Sequence, residues 1–76
     1  MTLTDDIKRW ANLEFYLKES YGRLASVIED NPYAQNMFRW LSEASGKHAK
    51  YLREAAEILG EPIPQEALKP EKAGRH

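Results

Sequence analysis

Seventy-six residues allow one small domain with a modest core, and a chain of that size usually needs an additional stabilising device. The chain contains no cysteine, which excludes a disulfide framework and a thiolate metal site and leaves oligomerisation, an N/O-ligated metal or very regular helix packing. Eleven basic and twelve acidic side chains are interspersed for a net charge of −1, a balance that argues against a nucleic-acid or anionic-membrane partner.

From Met1 to Thr4 the chain reads as a lead-in, with Thr2 or Thr4 as N-cap and Asp5 and Asp6 at the positive end of a helix dipole. No basic n-region and no apolar run of the roughly 20 residues that span a bilayer are present, so a soluble, cytoplasmic protein is expected. A helical period then runs from about Asp5 to about Glu29, a length of ~37 Å at 1.5 Å per residue. Its apolar stripe is Ile7, Trp10, Ala11, Leu17, Tyr21, Leu24, Ala25 and Ile28, with the carboxylate of Glu14 at its centre. Asp30-Asn31-Pro32 breaks the period: Asn31 suits an N-cap and Pro32 the first helical position. So short a connection predicts an antiparallel neighbour.

The second helix is expected from Pro32 to about Leu59, ending at Gly60 in the left-handed conformation that glycine tolerates. Steps of three and four from Ala34 give Met37, Phe38, Leu41, Ala44, Ser45, His48, Leu52, Ala55, Ala56 and Leu59, which places His48 on or near a buried stripe. Residues 1–60 therefore form a helical hairpin and residues 61–76 a Pro-rich tail. At most one helical turn is expected in that tail, around Gln65 to Leu68, docked through Ile63 and Leu68. Each helix carries more apolar surface than one stripe, including Leu13, Phe15 and Val27 on the first and Tyr33, Trp40, Tyr51 and Ile58 on the second. One hairpin cannot cover it all, so an all-α homodimer forming a four-helix bundle is expected, with Trp10, Trp40 and Tyr51 at its interface.

The two ionisable groups on the predicted core faces are the chemical clue. In di-metal carboxylate bundles two helices each give a Glu and two others each give a Glu-x-x-His pair. The segment Trp10-Ala11-Asn12-Leu13-Glu14-Phe15-Tyr16-Leu17, continuing through Tyr21 to Ala25, resembles the first half of a rubrerythrin or ferritin-like hairpin, in which a Glu is followed seven residues later by a Tyr. Phe38 through Leu41 to His48 and Leu52 is similar to the second half, and the likeness covers roughly residues 7–59. The family's bridging glutamate is replaced by Ser45, and Glu43 lies about 140° round the helix from His48. The resemblance implies a reduced metal site with Glu14 and His48 as ligands, Tyr21 and Ser45 beside them, and one Fe, Zn or Mn ion per dimer, with iron or peroxide chemistry as the related activity.

Two other readings stand beside it. His48 can be a hydrogen-bonded core histidine, or a Glu14–His48 pair can satisfy both groups with no metal. In that case the chain is a metal-free dimeric interaction module, with Trp40, Tyr51 and the tail from Glu61 to Pro70 available to a protein partner. A hydrolytic enzyme is disfavoured, because no nucleophile and base are placed to converge.

Overall fold

The computed structural model describes residues 3–64 and residue 68. The chain is all-helical: α1 spans Leu3–Val27 and α2 spans Pro32–Ile58, packed side by side as a hairpin. Thr4 lies inside α1 and so is not its N-cap, while Thr2 falls outside the described residues. Among the described residues no helix is long and apolar enough to cross a membrane.

The corner is built by the residues that break the helical period. The Asn31 side chain accepts a hydrogen bond from the Ala34 amide at 3.0 Å, and Pro32 follows it in the first turn. Gln35 then reaches back across the corner, its Nε2 donating to the carbonyls of Ala25 at 2.9 Å and Ile28 at 3.0 Å. Those carbonyls end α1 without intrahelical partners, so one side chain of α2 caps the helix before it. At the far end Gly60 has φ +89°, Gly60 N–H donates to Glu57 and Glu61 N–H to Ala56, both at 3.0 Å. This pair of bonds is a Schellman motif, and a side chain at Gly60 would meet only open space, so its demand is purely conformational.

The seam between the helices is narrower than the periodicity suggested. Ala11 and Ala25 on α1 and Ser45, Ala49 and Ala56 on α2 are the buried residues of the helices, and among the described residues no large side chain is fully buried. Ile7, Ala11, Glu14, Lys18, Tyr21 and Ala25 on α1 and Phe38, Ser42, Ser45, Ala49, Leu52 and Ala56 on α2, each buried or half-buried, mark the seam in alternating steps of three and four. Ser42 Oγ donates across it to the Lys18 carbonyl at 2.8 Å, and the Tyr21 and Phe38 rings meet with centroids 6.2 Å apart. A Cβ on Gly46 would come within 3.2 Å of the Lys18 side chain, and one on Gly22 within 3.6 Å of Ser42 Oγ. Small residues thus set the approach, and the Lys18 stem lies over the one at Gly46.

That geometry corrects the expected core. Trp10, Leu24, Met37, Leu41 and His48, all assigned to inward stripes, are exposed. Alanine and serine let two backbones approach more closely than leucine or tryptophan, so both helices turn their small residues inward and the large ones aside.

Where they turn follows from antiparallel packing. The apolar stripes one residue before the seam are Trp10, Leu13, Leu17 and Leu24 on α1 and Met37, Leu41, Ala44, His48 and Tyr51 on α2, of which Leu17 and Ala44 are half-buried and the rest exposed. One residue back is a rotation of about 100°, and for antiparallel helices that rotation carries both stripes to the same side of the hairpin. One residue forward is the opposite, more polar side, with Lys8, Asn12, Phe15, Glu19 and Ser26 on α1 and Arg39, Glu43, Lys50, Arg53 and Glu57 on α2.

The tail covers part of this polar side. Ile63 and Leu68 are buried in a cluster with Ala11 and Ala56, bordered by Ile7, Phe15 and Leu52, and Arg53 Nε donates to the Ile63 carbonyl at 3.1 Å. Docking through Ile63 and Leu68 therefore agrees with expectation. The short turn expected around Gln65 includes residues 65–67, which lie outside the described residues.

Candidate metal half-site on the bare face

Glu14 and His48 meet midway along the hairpin. Glu14 occupies a seam position near the centre of α1, and His48 projects from α2 on the neighbouring stripe, so the carboxylate reaches sideways to the ring. Glu14 Oε1 stands 3.4 Å from His48 Nδ1. The Glu14 side chain is largely covered at 23% exposure, whereas His48 is open at 58%. A histidine inside the core is thus replaced by a histidine on the surface, paired with a half-buried carboxylate. The cause is the same rotation that put Ser45 and Ala49 in the seam.

The separation has chemical content. It exceeds the usual 2.7–2.9 Å of a charge-assisted N–H···O bond, so the two groups approach each other without a short hydrogen bond. Two donors on one tetrahedral ion, each at about 2.1 Å, stand about 3.4 Å apart along an edge of the tetrahedron. The spacing therefore fits shared ligation as well as ion pairing. Among the described residues no group of three or more His, Asp or Glu is placed to hold a metal.

The other expected site residues divide. Ser45, one turn before His48, is buried in the seam at 5% exposure and serves the close helix approach. Tyr21 lies two turns beyond Glu14, ~10.5 Å along the axis, with its ring against Phe38. Trp40 and Tyr51 line a shallow cleft of about 280 Å³ together with Glu43, Ala44, Lys47 and His48. Trp10, Trp40 and Tyr51 are 56%, 65% and 61% exposed, so each is available to a partner. Sequence reasoning missed Lys47 in this cleft, although the i, i+4, i+8 spacing of Trp40, Ala44 and His48 marks the ridge beside it. It also missed Gln35 and Arg53, whose polar heads bind backbone carbonyls and leave no signature in hydrophobic periodicity.

Comparison of the chain with protein-family models, with curated proteins and with solved structures finds no match in any of the three.

Proposed function

We propose that this chain is a metal-binding protein of the ferritin-like kind with a reduced site, in which Glu14 and His48 are ligands and the working unit is a homodimeric four-helix bundle. The observation that carries the reading is the 3.4 Å approach of Glu14 Oε1 to His48 Nδ1 midway along the hairpin, beside the cleft lined by Trp40, Ala44 and Tyr51 with Glu43 and Lys47. Both donors are hard or borderline, and the chain has no thiolate, so the set suits Zn, Fe or Mn. The Glu14 carboxylate supplies negative charge, and the His48 imidazole a neutral donor whose ring is oriented by that contact. A bound ion would supply a Lewis acid and, as iron or manganese, a redox centre for dioxygen or peroxide. Tyr21 is too far along α1 for direct ligation and packs on Phe38, while Ser45 holds the helices close behind His48.

Elemental analysis of protein purified without chelator or affinity tag tests the reading. Stoichiometric Zn, Fe or Mn, one ion for every two chains, is expected in the native protein and background levels in the Glu14→Ala/His48→Ala double variant. Native protein without metal after reconstitution would contradict it, and the Glu14–His48 contact would then be an ion pair on a metal-free interaction module.

A further inference from the structure

We infer that the polar side of the hairpin carries a separate binding site, a cleft between α1, α2 and the tail that takes a small carboxylate with an apolar body. Neither Glu14 nor His48 takes part in it.

The cleft encloses about 230 Å³ and is lined by residues from all three parts of the chain. Phe15 from α1, Ala49 from α2 and Leu68 from the tail give it apolar walls, and the cations Lys18, Lys50 and Arg53 stand beside them. Among the described residues no carboxylate lines it, although the whole chain has more acidic than basic side chains. Three positive charges gathered on apolar walls are matched by a ligand with one anionic end and one apolar end.

The fold places these cations. The Lys18 stem crosses onto α2 over Gly46, where a Cβ would come within 3.2 Å of Lys18 Cδ and 3.3 Å of Cε. Lys18 Nζ then lies 5.8 Å from the centre of the Phe15 ring and 3.6 Å from Glu19 Oε2. Glycine inside a helix is unfavourable and calls for a packing reason, and seating this lysine is one. Arg53 is anchored by its Nε, which donates to the Ile63 carbonyl at 3.1 Å. The Lys50 ammonium has no partner among the described residues and is exposed at the cleft.

Charge and size narrow the ligand. Glu19 offsets part of the charge at Lys18, and Glu54 and Glu57 line the neighbouring cleft that Lys50 and Arg53 also border. Those acids disfavour a polyanion such as a nucleotide and suit a single negative charge. Pockets for drug-sized ligands occupy roughly 300–1,000 Å³, so this smaller cleft fits a body no larger than a phenyl ring or a short alkyl chain.

Heteronuclear NMR of the full-length protein, titrated with sodium hexanoate and sodium phenylacetate, tests the site. Acetate and hexanol serve as probes of the charge alone and the apolar body alone. Saturable shifts at the amides of Phe15, Gly46, Lys50 and Leu68 are expected with both carboxylates, at a dissociation constant of about 1 mM or below. Acetate and hexanol should each bind at least ~10-fold more weakly. Lys18→Gln/Lys50→Gln should weaken hexanoate binding ~10-fold or more while circular dichroism keeps its helical signal. Gly46→Ala, which crowds the Lys18 stem, should weaken it as well, whereas His48→Ala should leave it unchanged. No saturation by ~10 mM, or shifts confined to other amides, would overturn the site. Acetate binding as tightly as hexanoate, full affinity in the double glutamine variant, or loss of binding in His48→Ala would overturn it equally.

Discussion

The two sides of this hairpin solve the problem of a small core in opposite ways. On the polar side the chain completes itself: the tail returns, buries Ile63 and Leu68 over Ala11 and Ala56, and is tied by Arg53 to the Ile63 carbonyl. On the apolar side Trp10, Leu24, Met37, Leu41 and Tyr51 stand exposed, with the Glu14–His48 contact among them. Both sides flank the same seam of alanine, serine and glycine. The difference shows that such a seam can hold two helices close but cannot absorb their large side chains, so each flank needs its own cover.

Substitutions that act on one side only should separate the two solutions. The largest effect is expected from Leu41→Glu, which places a carboxylate from each copy in the proposed interface. Dimer affinity should fall at least ~100-fold, about 2.7 kcal/mol, in a concentration series followed by light scattering. Lys8→Glu, on the polar side, should leave that affinity unchanged. Ile63→Ala attacks the other cover: losing a buried side chain at the tail should cost about 2 kcal/mol and lower the melting temperature by ~10 °C in calorimetry. Its effect on dimer affinity should be small if the two sides are independent. Ala56→Leu overfills a position with 0% exposure that the seam and the tail share, and about 1–3 kcal/mol of destabilisation is expected in urea titration. Asn31→Ala removes the cap at the corner, far from either cover, and should cost about 1 kcal/mol by the same titration with no change in assembly.

Much of the framework was legible in the sequence because its signals are local. Asn31-Pro32 and Gly60 fix the ends of α2 through backbone chemistry that neighbouring residues decide, and the helix bounds agree within two residues. Ile63 and Leu68 could be picked out as docking points because they are isolated apolar residues in a polar tail. The rotation of the helices was not legible. Both helices are apolar over a wide arc, and periodicity locates the arc without saying which part of it meets the neighbouring helix. The contact was decided by side-chain size, so Ala11, Ala25, Ser45, Ala49 and Ala56 took the seam, and Trp10, Leu41 and His48 moved outward. The pairing of Glu14 with His48 survived that rotation. A Glu at a seam position and a His one residue off it remain within side-chain reach, so the contact was readable even though its burial was not.

In the proposed dimer, assembly closes the apolar side, and Trp10 lies on it, 56% exposed in the protomer. The most direct test is therefore the emission spectrum of a Trp40→Phe variant, whose remaining tryptophan is Trp10, recorded with its mass over a dilution series in the presence of zinc. A blue shift that grows in step with the dimer fraction is the predicted result. A doubling of mass with unchanged Trp10 emission would mean that the chains meet elsewhere and would contradict it.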